Sequence, residues 1–283
     1  MTDTTTLTTG TLDVPGATLH YEVRGSGPLL LLIPGGAGDA GLYAAMARTL
    51  AATRTVASFD PRPLSRSRLH GPLGDQRVDE WSDDARLLID HLSPDAPASV
   101  LGCSSGAITA LGLLARHPER IDRLVAHEPP LLTLLEDPAP HLALFADVRE
   151  VFRARGAGPA MARFSEGLGE RPAEAATEAA TELPPEIVEM APRMHANLPV
   201  FLEHILCPFS SSEPDVAALR AAAGKLIPAA GRLSRGQTPL YGPAARLAEL
   251  LDRPLTEFPG GHLGAVEHPQ EFAEQLLGLL TAR

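Results

Sequence analysis

The chain of 283 residues is 44% hydrophobic and 21% charged, and 35 Asp and Glu against 24 Lys and Arg leave it with a formal charge of −11. That balance repels phosphate backbones and anionic lipid, and no Lys/Arg cluster offsets it, so neither nucleic acid nor a membrane surface is an expected partner. Two cysteines, Cys103 and Cys207, without C-x-x-C spacing, make neither a disulfide framework nor a zinc or redox motif.

Residues 1–9 form a Thr-rich tail with little to bury, expected to fray, and they show neither the basic nor the apolar segment of a secretion signal. The expected setting is therefore reducing and cytoplasmic. Short extended runs at residues 11–14 and 20–23 flank the turn signal Pro15-Gly16. Leu29–Ile33 is continuously apolar, as a strand covered on both faces of a parallel sheet reads, yet far too short to span a bilayer. Pro34-Gly35-Gly36 ends it, and Leu42, Met46 and Leu50 then recur at helical spacing. Thr55–Phe59 is a second buried strand, followed by the loop D-P-R-P-L-S-R-S. A helix is expected over residues 81–92, a short strand over 99–102, a helix over Ser105–Arg116 and a strand over Ile121–His127. Strands alternating with helices predict an α/β fold with a mostly parallel sheet flanked by helices.

From residue 131 to 213 the pattern turns to helix periodicity punctuated by Pro and Gly, including an Ala/Glu-rich stretch at 172–183. This segment reads as a helical cap inserted into one core made of residues 1–130 and 214–283. Sheet signals return at 225–230 and 255–258, with helices at 240–251 and 269–280.

The sharpest local motif is Gly102-Cys103-Ser104-Ser105-Gly106, a G-x-S-x-G string between a strand and a helix. Nucleophile chemistry needs a serine on a sharp strand-to-helix turn, with small flanking residues and the following N–H at a helix N-terminus. Ser104 meets those requirements; the bland reading is a Gly-rich connection with Ser105 as helix cap. A serine needs a base, and His262 in F-P-G-G-H-L-G follows the last strand, where parallel sheets build their sites. The usual place for the orienting acid, after the seventh strand, reads Ala230-Gly231-Arg232-Leu233 and holds none. Glu128, at the end of the sixth strand, is therefore the expected acid, with Asp252 and Glu257 in reserve. Two backbone N–H groups, of Ser105 and Gly36, are the expected oxyanion donors.

A rival pattern overlaps the same loop. Gly36-Ala37-Gly38-Asp39-Ala40-Gly41 matches G-x-G-x-x-G, with Asp60 about twenty residues on, which is a dinucleotide fingerprint. It leaves the serine and histidine loops unexplained, and no Y-x-x-x-K pair accompanies it. No metal motif is present, and neither a metal nor a cofactor is expected.

With Ser104, Glu128 and His262 in that order, together with P-G-G-A-G and F-D-P-R-P-L-S-R-S, the chain resembles an α/β-hydrolase with a helical cap. More narrowly, G-C-S-S-G-A, H-P-E-R-I, H-E-P-P, the cap segment H-A-N-L-P-V-F and P-G-G-H-L-G-A-V-E-H-P are similar to the zearalenone lactone hydrolases. The resemblance implies Ser104 as nucleophile, His262 as base, Glu128 as its orienter, and a small lipophilic ester or lactone as substrate. Met194, Leu198 and Phe201 would line its pocket, Phe201 standing where that family places a Trp. The absent acid after the seventh strand keeps open a hydrolase fold that only binds a ligand or performs cofactor-free lyase chemistry. Oligomeric state stays open as well, a homo-oligomer included.

Overall fold

The computed structural model describes residues 6–168 and 185–281. At its centre lies β3 (Leu29–Ile33), five buried apolar residues whose alternation feeds two cores. Leu29, Leu31 and Ile33 join one, Leu30 and Leu32 the other. Two buried faces explain why this strand reads as an unbroken apolar run, and each such side chain contributes about 1.5–3 kcal/mol by leaving water.

The sheet is built from β1 (Thr8–Val14), β2 (Ala17–Arg24), β3, β4 (Thr55–Phe59), β5 (Ala98–Cys103), β6 (Ile121–His127), β7 (Leu226–Gly231) and β8 (Thr256–Phe258). Its order is β1-β2-β4-β3-β5-β6-β7-β8, with a two-residue ninth strand, Arg68–Leu69, on β2. β2 runs antiparallel to both β1 and β4, and every neighbour pair from β4 to β8 is parallel. All the parallel strands thus end on one edge. Helices α1 (Ala44–Leu50) and α11 (Pro269–Thr281) supply Met46, Leu50, Phe272 and Leu276 to the core on one face. On the other face α2 (Val78–Leu92) and α3 (Ser105–Arg116) supply Trp81, Leu88, Leu111 and Leu114.

Thr8 and Thr9, expected in a frayed tail, pair instead with Val23 and Glu22 as the start of β1. Backbone pairing with β2 supplies what their side chains cannot. Among the described residues, the chain between β6 and β7 forms helices and turns only. They include α4 (Ala139–Arg155), α5 (Ala157–Gly167), α6 (Pro185–Val200) and α7 (Leu206–Ser210). We refer to α4–α7 as the cap. A π-helical turn, Phe201–Ile205, joins α6 to α7, bracketed by Pro199 and Pro208, neither of which has an N–H to continue the helical ladder. The Ala/Glu-rich stretch at 172–183 lies outside the described residues. No helix among the described residues is long and apolar enough to cross a membrane.

Candidate active site

β5 ends at Cys103 and α3 begins at Ser105, so the chain reverses at Ser104, whose backbone has φ +56° and ψ −127°. A non-glycine residue there is strained and persists only because its surroundings hold it. Two glycines make the turn possible. A Cβ on Gly102 would lie 2.3 Å from the Gly106 carbonyl oxygen, and one on Gly106 would lie 2.2 Å from that of Ile33. Ser104 occupies the N-cap position, but its side chain makes no capping bond; Ser105 is the first helical residue rather than the cap. The Ser104 hydroxyl is therefore not spent on the helix.

Glu128 follows β6 at φ +47° and is fully buried. Its N–H donates to Ala229 O at 2.9 Å, its Oε1 accepts the Gly231 N–H at 2.8 Å, and its Oε2 lies 2.7 Å from His262 Nδ1. Burial alone would push the carboxyl up; the hydrogen bond and charge of His262, with His127 and the Gly231 N–H, outweigh it and hold Glu128 below the usual carboxylate range. An ionised carboxylate only accepts, so His262 Nδ1 must donate, and a neutral ring then carries its free lone pair on Nε2. The end of β7, where no acid stands, has a different part. Gly231 donates to Glu128, and a Cβ there would lie 2.6 Å from Gly261 Cα, so only glycine lets the His262 loop come this close. Of the reserve acids, Glu257 is held by Arg235 and the Tyr241 hydroxyl, and Asp252 sits in the turn after Tyr241–Leu250, the ninth helix.

The expected oxyanion donors need one correction. The Gly36 N–H is already committed, donating to Ser105 Oγ at 2.9 Å. The turn Gly35 to Gly38 is closed by Gly38 N–H to Gly35 O at 3.0 Å, with Gly36 at φ +61°. The next N–H, that of Ala37, has no acceptor among the described residues, and neither has the Ser105 N–H in the first turn of α3. Which N–H of a tight turn is free depends on a hydroxyl 69 positions away, and no local pattern displays it.

Ser104, Ser105, Ala37 and His262 line one cavity under the cap. Met194, Leu198 and Phe201 line it too, and Phe201 meets Phe164 edge-to-face at 6.3 Å, as Phe164 does Phe145 at 5.3 Å. No Asp, Glu, Lys or Arg among the described residues lines it. Cys103 and Tyr43 are at its floor; burial pushes the Cys103 thiol up to about 12, so it stays neutral. Beneath Glu128, His127 is fully buried against Phe258 and Phe272, and neither ring nitrogen has a partner among the described residues.

The dinucleotide fingerprint dissolves at Asp60. Fully buried, its carboxylate accepts from the Ala40 N–H at 2.9 Å, from the Arg66 N–H at 2.9 Å and from the Arg66 guanidinium through Nε at 2.8 Å and Nη2 at 2.9 Å. No lone pair is left for a ribose. Asp60 instead ties the loop after β3 to the loop after β4.

A family model for the alpha/beta hydrolase fold matches residues 28–166. An uncharacterized hydrolase of Bacillus subtilis, YraK, is 36% identical over 97% of each chain. A zearalenone hydrolase of Cladophialophora bantiana is 27% identical over 93% of this chain and 92% of its own. Among solved structures, a thermophilic esterase from Thermogutta terrifontis superposes with a TM-score of 0.73 at 18% identity, covering 97% of this chain and 98% of its own. The strand order, the strained serine turn and the full-length likeness to YraK agree, and the chain belongs to the α/β-hydrolase family.

Proposed function

We propose that this protein is a serine hydrolase that cleaves a neutral, lipophilic carboxylic ester or lactone through an acyl-enzyme on Ser104. The observation that carries the reading is the 2.7 Å contact between buried Glu128 and His262 Nδ1, on the rim of a cavity that Ser104 also lines. Ser104 Oγ attacks the carbonyl carbon while its proton passes to His262 Nε2. The ring, now cationic, is stabilised by Glu128. Negative charge on the former carbonyl oxygen is met by the N–H groups of Ser105 and Ala37, a pair whose loss by one member typically costs on the order of 3 kcal/mol in the transition state. Collapse expels the alkoxide, which takes the proton from His262. Water then repeats the sequence on the acyl-enzyme and restores Ser104; from a lactone the product is one hydroxy acid.

The absence of charged side chains from the described wall argues for an uncharged substrate, since a carboxylate or ammonium entering it would lose hydration without a partner. The zearalenone hydrolase among the relatives makes a resorcylic macrolactone the first member of the lactone panel. Cys103 and Cys207 are both free thiols, in keeping with the cytoplasmic setting that forms part of the proposal.

The test is a fluorophosphonate probe followed by a panel of p-nitrophenyl esters and lactones, zearalenone included, run on wild type and Ser104→Ala. Labelling and turnover in the wild type, both absent in the variant, are the expected result. A wild type that neither labels nor turns over any member points to ligand binding or lyase chemistry instead.

A further inference from the structure

The cap reaches back to the turn that carries the Ala37 N–H through one side chain, Asn197 on α6. Its buried amide donates through Nδ2 to the Ala37 carbonyl at 2.9 Å and to Ser65 Oγ at 2.8 Å, while Oδ1 accepts the Ser65 N–H at 2.9 Å. Every polar atom of the amide is engaged. One helical turn earlier, Arg193 pairs with Asp39, which is fully buried and also accepts the Ser65 hydroxyl at 3.0 Å and the Gly41 N–H at 2.9 Å. Met194 and Leu198, each one position further along α6, line the cavity. Positions i and i+4 share a helix face, so seating α6 on the core brings Arg193 and Asn197 onto the loops together and lays the apolar wall beside them.

Among the described residues, the turn Gly35 to Gly38 has three hydrogen-bond anchors. Gly36 N–H to Ser105 Oγ and Gly38 N–H to Gly35 O come from the core; the bond to the Ala37 carbonyl comes from the cap. Between them lies the Gly36–Ala37 peptide, whose N–H is the proposed oxyanion donor. Rotation of that peptide exchanges the directions of its N–H and C=O by turning ψ of Gly36, which glycine leaves free, against φ of Ala37. Holding the next carbonyl opposes the rotation.

We propose that Asn197 is a positioning residue, which by holding the Ala37 carbonyl keeps the Ala37 N–H in its donor orientation, so that the oxyanion site is complete only when α6 is seated on the core. This rests on the serine-hydrolase reading above. A polar latch of this kind would couple closure over a substrate to assembly of the transition-state site, so that a water-filled open form stays inactive.

The test compares wild type, Asn197→Ala and Ser65→Gly on p-nitrophenyl butyrate and on two matched inhibitors. One is an aryl trifluoromethyl ketone, to which Ser104 Oγ adds to leave a tetrahedral oxyanion; the other is the corresponding methyl ketone, bound without addition. Asn197→Ala is expected to lower kcat by about 10- to 100-fold and to weaken the trifluoromethyl ketone by a similar factor, with KM and methyl ketone affinity within about twofold of wild type. Ser65→Gly suits the φ of +52° at that position and removes the hydroxyl between Asn197 and Asp39. It should shift the ratio of the two affinities the same way by less, which keeps the test decisive if Asn197→Ala does not fold. An unchanged ratio in the folded variants, or a loss shared equally by both ketones and by KM, overturns the proposal and leaves Asn197 a structural contact. Wild type that fails to react with the fluorophosphonate at Ser104 overturns the hydrolase reading instead.

Discussion

His127 offers a test of the buried chemistry that is independent of substrate. Its ring is fully buried between Phe258 and Phe272, and burial, helped by the nearby His262 and opposed by the Glu128 charge, lowers its pKa from the ordinary 6.5 to about 4. Since the folded value lies below the unfolded one, the unfolded chain binds more protons between the two. Stability from this residue is complete above pH 6.5 and drains as pH falls towards 4. At 1.36 kcal/mol per unit, the loss between pH 8 and pH 5 comes to about 2 kcal/mol. His127→Leu removes the titrating group along with two unpartnered nitrogens, at similar volume. Equilibrium urea unfolding followed by the fluorescence of Trp81, the one tryptophan and a buried one, reads the difference at each pH. The variant should gain about 2 kcal/mol on the wild type as pH drops from 8 to 5, whatever their difference at pH 8. Glu128, held below 4.5, acts in a lower window and does not confound the comparison. Parallel pH profiles for the two proteins would refute the assignment of a neutral, desolvated imidazole.

Glu128→Gln keeps an oxygen for the Gly231 N–H but can offer His262 Nδ1 a donor in place of the carboxylate acceptor, inverting the favoured tautomer; kcat for a p-nitrophenyl ester should fall by roughly 10³- to 10⁴-fold. A loss of less than tenfold would remove Glu128 from the proposed triad. Ser105→Ala deletes the acceptor of the Gly36 N–H while leaving the backbone donor at 105, and should lower kcat about tenfold through the loosened turn, measured alongside trifluoromethyl ketone affinity. Gly102→Ala puts a Cβ 2.3 Å from the Gly106 carbonyl oxygen, backbone against backbone; calorimetry should show a destabilisation of about 3 kcal/mol or more, or no soluble protein. Phe201→Ala opens the cavity wall and should raise KM about tenfold for bulky aromatic esters with little change for acetates, as removal of one aromatic contact would.

Leu29–Ile33, Thr55–Phe59, Ser105–Arg116 and Ile121–His127 begin and end where the sequence places them. The three strands have apolar runs closed by Pro, Asp or Glu, and the helix starts where a glycine-flanked serine turns the chain, so each signal is local. The loops that carry Ser104 and His262 of the proposed triad stand out for a similar reason: Gly102, Gly106 and Gly260 mark close backbone approaches, and such approaches gather at sites. What stayed hidden is carried by contacts distant in sequence. Ser105 Oγ decides that the Gly36 N–H is occupied, and Asn197, an amide on a cap helix, is buried and bonded to a turn 160 residues away.

The distribution of strain says why those distant contacts exist. Among the described residues, four that are not glycine have positive φ, and three of them, Ser65, Ser104 and Glu128, lie in loops at the edge where the parallel strands end. Each costs on the order of 1–3 kcal/mol and needs a restraint from elsewhere in the chain. Ser104 is held by its N–H on the His127 carbonyl at 3.0 Å, and Glu128 by β7 through Ala229 and Gly231. Ser65 is held from two sides, by Asn197 of the cap and by Asp39 of the core, which accepts its hydroxyl at 3.0 Å. Two restraints thus belong to the permanent sheet, and the third is shared between the core and an element that packs on top of it. The share that α6 supplies ties the loop network, and with it the Ala37 carbonyl, to the same helix that walls the cavity.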